Sequence, residues 1–182
     1  MPPDEKSAIV GAADTTSTHP QSPRTGIGYD SHRFGTGGPM LLGGVHVPSD
    51  VHLVGHSDSD AIAHALTDAI LGACGQGDIG TLFPDTDPAN ANRDSIEMLK
   101  MSVSRAAACG FMVGNADVTV IAEVPKLAPH RNAIVAVLER ATGGAVSVKA
   151  KTNEGMGWIG RGEGLACIAV VTLLPSRDRT FA

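Results

Sequence analysis

Aromatic residues make up only 3% of this 182-residue chain, so its core must be built from Val, Ile, Leu and Ala. Charge is also sparse: 18% of residues are charged, and 14 Lys and Arg against 19 Asp and Glu leave a net charge of −5. That balance excludes a nucleic-acid or membrane-surface binder working through bulk positive charge. Phosphate recognition stays open, because a metal, backbone N–H groups and a few Lys or Arg supply it locally. The three cysteines, Cys74, Cys109 and Cys167, are widely spaced, odd in number and set in apolar segments, with no C-x-x-C. They read as buried thiols in a reducing compartment, not as a disulfide framework or a thiolate metal site. No apolar run reaches membrane-spanning length, and the first residues lack the pattern of a secretion signal. Asp4, Glu5 and Asp14 argue against an acidic-poor transit peptide, leaving the cytoplasm as the expected location.

Glycine is abundant, at 22 residues, and points to close backbone approaches. The length suits one domain with one substantial core. Residues 1–24 are rich in Pro, Ser, Thr and Ala without hydrophobic period, and are expected to form a disordered extension. A folded domain is expected over 25–175, followed by a short tail, 176–182. Within the domain, Gly26–His32 alternates as a strand, with Ile27 and Tyr29 on one face and Gly28, Asp30 and His32 on the other. Met40–Leu42 and Val45–Val47 flank Gly43-Gly44 as a β-hairpin. Ser57 or Asp58 offers an N-cap, with Asp60 in the first turn, to a helix whose stripe is Ile62, Leu66, Ala69, Ile70 and Ala73 and whose stop is Gly75. A Gly/Pro/Asp-rich loop runs from Gly77 to Ala91. A second helix runs from an Asp94 cap through Ile96, Leu99 and Val103 to Gly110. Strands near Ala116–Ala122, Val146–Ala150 and Leu165–Leu174 and a helix near Asn132–Arg140 complete the order. The expectation is an α/β (α+β) two-layer sandwich, a mixed sheet with helices on one face.

The chemistry concentrates in three places. Asp30 and His32 share a strand face, and His64 lies one helical turn after Asp60 and one before Asp68. Two histidines and a carboxylate leave a metal's fourth position open to substrate. An Asp-x-His pair alone is more often a hydrogen-bonded core pair than a ligand pair. Three features favour metal: Gly28 leaves room beside the pair, a second His/Asp cluster follows on a helix, and Asp78, Gly80 and Asp85 sit in a loop that needs a purpose. His64 points away from the core stripe, and Asp68 is either a solvated helix charge or orients a ligand histidine. The second place is Lys149–Gly164, where a strand enters a five-glycine loop carrying Lys151, Thr152, Asn153, Glu154, Trp158 and Arg161. It suits a phosphate with a hard cation on Glu154, or else is a flexible hairpin loop with a solvated charge run. The third is Ala122–Pro129, a proline-punctuated turn whose backbone groups are free to read a base edge, with Lys126 near a phosphate, or else an ordinary strand-to-helix loop.

The motifs G-Y-D-S-H, G-H-S-D-S-D-A-I-A-H-A-L-T-D-A, G-D-I-G-T-L-F-P-D-T-D-P, D-V-T-V-I-A-E-V-P-K-L and G-R-G-E-G-L together resemble the 2-C-methyl-D-erythritol 2,4-cyclodiphosphate synthase family of the non-mevalonate isoprenoid pathway. The resemblance runs from about Gly26 to Leu174. It implies a homotrimer with active sites between subunits, and a divalent metal, usually zinc, on Asp30, His32 and His64, with Asp60 and Asp68 supporting. It also implies that His56 and Thr152 stabilise the transition state. Ser57, Asp78, Ile79, Gly80, Phe83, Pro84, Asp85, Thr86 and Asp87 would hold the methylerythritol phosphate. Ala122, Pro125, Lys126, Leu127 and Ala128 would receive the cytosine. Thr152 and Glu154, with Lys151 and Asn153 beside them, would take the diphosphate with Mg²⁺ or Mn²⁺. Trp158 and Arg161 match positions near the substrate and a central cavity that binds isoprenoid diphosphates in some relatives. Departures are Ser59 for a common glycine, Trp158 for phenylalanine, and Lys151 and Asn153 for small hydroxyl residues.

The implied reaction is a cyclising, CMP-releasing phosphorus–oxygen lyase step, in which two cations offset the phosphate charge and no strong general base is needed. The alternatives are a zinc-dependent phosphohydrolase, and a non-catalytic trimer binding metal or isoprenoid diphosphate. No nucleic-acid or membrane partner is expected.

Overall fold

The computed structural model describes residues 22–55, 57–90 and 93–176. The expected N-terminal extension lies outside the described residues up to position 21, and the tail does so from position 177. The elements are β1 (Arg24–Thr36), β2 (Met40–Leu42), β3 (Val45–Val47), β4 (Val51–Val54), α1 (Ala61–Cys74), α2 (Ile79–Leu82), α3 (Ser95–Ala108), β5 (Phe111–Ile121), α4 (Arg131–Thr142), β6 (Ala145–Lys151), α5 (Gly157–Gly160) and β7 (Gly164–Pro175). Five strands form one mixed sheet in the order β4-β1-β7-β5-β6, with only the β5–β6 pair parallel. The hairpin β2–β3 stands apart from it. Gly43 and Gly44 both take positive φ, 59° and 74°, as a two-residue hairpin turn demands. Helices α1, α3 and α4 cover one face of the sheet, so the expected mixed α+β layering holds.

One contact fixes the position of everything else. A Cβ placed on Gly26 would lie 2.0 Å from the Ala69 carbonyl oxygen, and one on Gly28 would lie 1.9 Å from that of Ala65. Helix α1 therefore presses on β1 backbone to backbone, through a stripe of Ala65, Ala69 and Ala73. This corrects the expectation that Gly28 leaves room for a ligand, because α1 fills that room. It also corrects the picture of α1 as a helix with a polar side. All its residues except Asp68 and Gly72 are buried, because the sheet, α3 and β2 surround it.

The opposite sheet face is open. Ile27 and Val170 are cross-strand partners and are 70% and 38% exposed, and Tyr29 beside them is 55% exposed. Ile27, Tyr29 and Val170 thus put apolar and aromatic surface on the side of the sheet that the helices leave open.

Candidate metal centre and phosphate cavity

Asp30 and His32 project from the helix-facing side of β1, and α1 brings His64 over them. The sequence offered Ser57 or Asp58 as the cap of this helix; the cap is Asp60. Its Oδ1 accepts the Ile62 and Ala63 N–H groups at 3.1 and 3.2 Å. Its two oxygens also accept the N–H groups of Gly43 and Gly44, at 2.8 and 2.6 Å. The Asp60 carboxylate thus ties the start of α1 to the hairpin turn, and its bonds go to backbone N–H groups and not to a histidine ring. Burial pushes its carboxyl up, against the pull of these N–H donors.

Three atoms converge: Asp30 Oδ2 lies 2.9 Å from His32 Nε2 and 3.1 Å from His64 Nδ1, and the two ring nitrogens are 3.4 Å apart. A tetrahedral ion with bonds near 2.0–2.1 Å separates its ligand atoms by roughly 3.3 Å, so this donor set fits a divalent metal without rebuilding. His32 Nδ1 lies 3.1 Å from the Val54 carbonyl on β4, to which its N–H donates, leaving Nε2 for the site. Burial would raise the Asp30 carboxyl, but the hydrogen bonds and charges of His32 and His64 hold it well below the usual carboxylate range. Burial would lower His32, yet Asp30 beside it raises the imidazole above its ordinary value.

The far nitrogen of His64, Nε2, lies 2.7 Å from Ser95 Oγ and 3.0 Å from Ser57 Oγ. Ser95 is wholly buried at the first position of α3. Its hydroxyl and its N–H both donate to the Asp58 carboxylate, the latter at 2.8 Å. Neither Ser95 nor Asp58 was singled out as a site residue from the sequence. Ser95 reads there as an ordinary first helical residue, and Asp58 as one of several possible caps.

Asp30, His32 and His64 line a cavity of about 530 Å³, whose other walls include Ser57, Ile79, Gly80, Phe83, Pro84 and Asp85. Gly55, Asn90 and Met98 also line it and were not foreseen. The hydrogen bond of Asp68 goes not to His64 but to the Ile79 N–H, which its Oδ1 accepts at 2.7 Å, and so pins α2 to α1 one turn beyond His64. Asp78 caps α2 by accepting from the Thr81 N–H and hydroxyl, both at 2.7 Å; the Thr81 hydroxyl in particular holds its carboxyl low. Asp87 caps a short 3₁₀ turn, Pro88–Asn90, through the Ala89 N–H at 2.9 Å. Thr86 is exposed beside it and is not among the residues lining the cavity. His56 lies outside the described residues.

The remaining site residues gather elsewhere. Leu127 and Ala128 line a separate cavity of about 130 Å³ with Arg131, Val148, Lys149 and Ala150, and no residue lines both cavities. Ala122 is buried, with its N–H on the Lys151 carbonyl at 2.9 Å. Glu123, which the sequence placed in the turn without a role of its own, accepts the Asn153 and Gly155 N–H groups at 2.9 and 3.3 Å, and so joins the proline turn to the glycine loop. Lys126 is exposed and Pro125 half-buried in that turn. Thr152 donates to Glu154 at 2.9 Å, and Glu154 takes a φ of 51°. Lys151 is exposed and Trp158, on α5, is 36% exposed. Arg161 is engaged with Glu163 at 2.7 Å.

A family model described as the YgbB family matches residues 23–174. The chain is 60% identical over 161 residues to the 2-C-methyl-D-erythritol 2,4-cyclodiphosphate synthase of Gemmatimonas aurantiaca, covering 87% of this chain and 97% of that protein. It is similar to a solved 2C-methyl-D-erythritol-2,4-cyclodiphosphate synthase in a CDP-bound form, with a TM-score of 0.77, 40% identity, and coverage of 83% of this chain and all of that one. It also matches the bifunctional IspDF of Campylobacter jejuni, with a TM-score of 0.80 and 42% identity, covering 84% of this chain but 42% of that one.

Proposed function

Since the chain belongs to the YgbB family, we propose that it converts 4-diphosphocytidyl-2-C-methyl-D-erythritol 2-phosphate into 2-C-methyl-D-erythritol 2,4-cyclodiphosphate and CMP, in the non-mevalonate isoprenoid pathway. The 2-phosphate oxygen attacks the β-phosphorus, the bond from that phosphorus to the CMP oxygen breaks, and an eight-membered ring closes. No water is consumed, which makes the enzyme a phosphorus–oxygen lyase. The observation that carries this reading is the convergence of Asp30, His32 and His64 in the wall of a cavity large enough for a phosphorylated polyol.

The metal is zinc, and when bound it supplies Lewis-acid charge to a phosphate oxygen. Asp30, His32 and His64 hold it, while Ser57, Ile79, Gly80 and the Phe83–Asp87 segment enclose the methylerythritol phosphate. The 122–128 turn takes the cytosine. Thr152 and Glu154 take the diphosphate with Mg²⁺ or Mn²⁺, aided by Lys151 and Asn153. The Thr152 hydroxyl, now on Glu154, turns to a phosphate oxygen and with His56 stabilises the transition state. Trp158 and Arg161 border the substrate end of this loop. Because the attacking group is already an oxyanion, the protein's work is positioning and charge stabilisation.

We further propose that the working particle is a homotrimer of single domains, each spanning 25–175, in the cytoplasm. Two observations support shared sites: the metal cavity and the cytosine-turn cavity have no lining residue in common, and one sheet face is apolar and open. Light scattering is expected to give three chains per particle. Ile27→Asp combined with Val170→Asp is expected to yield monomers with little turnover, because each half-site then lacks its complement. A monomeric wild type, or a trimeric double variant, contradicts this assembly.

The product assay decides the chemistry. Phosphorus NMR of the substrate with protein, zinc and magnesium is expected to show a cyclic diphosphate and CMP. CMP with a linear phosphate would make the protein a hydrolase, and no turnover at all would leave a binding trimer.

A further inference from the structure

We propose that Asp58 and Ser95 form a positioning relay that sets which nitrogen of His64 is bare and aims that nitrogen at the metal. The inference rests on the reading of His64 as a metal ligand.

His64 shows Nδ1 to Asp30 and His32 and turns Nε2 to Ser95. A serine hydroxyl has one proton to give, and an ionised carboxylate can only accept. The Ser95 proton is committed to Asp58 Oδ1, and the Ser95 N–H to Oδ2. Its Oγ therefore meets His64 as an acceptor, which requires the imidazole proton to sit on Nε2. Nδ1, 3.1 Å from Asp30 Oδ2, is then the nitrogen that exchanges any proton it shares with Asp30 for a metal bound by Asp30 and His32. Asp58 is itself held, with the Asp60 N–H on Oδ1 at 3.2 Å and its own N–H on the Arg93 carbonyl at 3.4 Å. The relay is thus anchored on the loop before α1 and on the first residue of α3, on either side of the histidine.

Ser57 cannot do the same work. Its oxygen also lies near Nε2, at 3.0 Å, and accepts the Ser59 N–H at 3.2 Å. Among the described residues no carboxylate accepts its hydroxyl proton, so it donates or accepts as the ring dictates. Ser95 has no such freedom. Neither Ser95 nor Asp58 lines the substrate cavity, so both act through His64.

The test uses the full chain, titrated with zinc against a chelator and melted with and without zinc. Groups that orient a metal-bound histidine typically govern about a tenfold to hundredfold change in metal affinity. Ser95→Ala is expected to weaken zinc binding by that amount, because only the uncommitted Ser57 is left facing Nε2. Metal-free Ser95→Ala is expected to melt with the metal-free wild type, while the rise produced by zinc shrinks. Asp58→Asn supplies a second readout. With the carboxylate gone, the Ser95 proton is free to point at Nε2, and nitrogen NMR of the metal-free neutral ring is expected to shift from the Nε2–H toward the Nδ1–H form.

Wild-type zinc affinity in Ser95→Ala would overturn the relay. Equal loss of melting temperature with and without zinc would also overturn it, since that marks a merely structural serine. So would an Nε2 proton occupancy that is the same in the wild type and in Asp58→Asn. If the wild type takes up no zinc, the metal assignment fails by itself, and the ring form in wild type and Asp58→Asn still decides the relay.

Discussion

His64→Ala is expected to abolish zinc retention and cut cyclisation at least about a thousandfold, while the chain stays folded. Loss of Lewis-acid stabilisation is worth several kcal/mol in a transition state, and each 1.4 kcal/mol or so is a factor of ten in rate. Two remaining protein ligands, Asp30 and His32, do not hold a tetrahedral ion against exchange. The fold survives because the imidazole borders a large open cavity, so water fills the space it leaves, and because Ser95 keeps Asp58 as its partner. Zinc stoichiometry, phosphorus NMR and a melting curve check the three parts. Retained zinc with full turnover would remove His64 from the site, and global unfolding would make it a core residue.

Gly28→Ala is expected to produce the opposite pattern, a stability defect from which loss of function follows. The new methyl carbon would lie 1.9 Å from the Ala65 carbonyl oxygen and 2.8 Å from the Ala69 N. These are backbone atoms of a buried helix, so no side chain can swing aside. Overpacking of this kind costs about 1–3 kcal/mol and more where backbone must move. The rigid neighbour places this site at about 3 kcal/mol or above, a fall of roughly 6–12 °C in melting temperature for a domain of this size. Because α1 must lift from β1, His64 also leaves Asp30 and His32, and zinc affinity should drop in the variant that remains folded at low temperature. A melting curve matching wild type would mean that the helix does not press on the strand.

How much of this was written in the chain depends on the range of each interaction. Asp30 and His32 were legible because strand period is local, and Gly43-Gly44 because a tight hairpin has few solutions. Asp94 and Gly75 mark helix ends in the same local way. The cap of α1 was not legible, since Ser57, Asp58 and Asp60 are all good caps; the hairpin glycines, far from the helix in sequence, decide it. The alternation of β1 showed two faces but not which one the helices cover, so the exposure of Ile27 and Tyr29 came only with the sheet order. The metal triad was thus half readable from spacing. Its support through Val54, Ser95 and Asp58 was not, because those contacts join segments with no shared pattern.

The strand order also has a consequence in time. β1 carries Asp30 and His32 near the start of the chain, yet one of its two neighbours is β7, with Asp30 opposite Cys167 and His32 opposite Leu165. During synthesis these two candidate ligands precede β7, so their strand is flanked on both sides only after Gly164–Pro175 has been made. A chain cut before Gly164 is therefore expected to retain no zinc in equilibrium dialysis, and tight retention would contradict this. The candidate ligands are thus made long before the strand that holds two of them in place, and tight loading is expected to follow the pairing of β1 with β7.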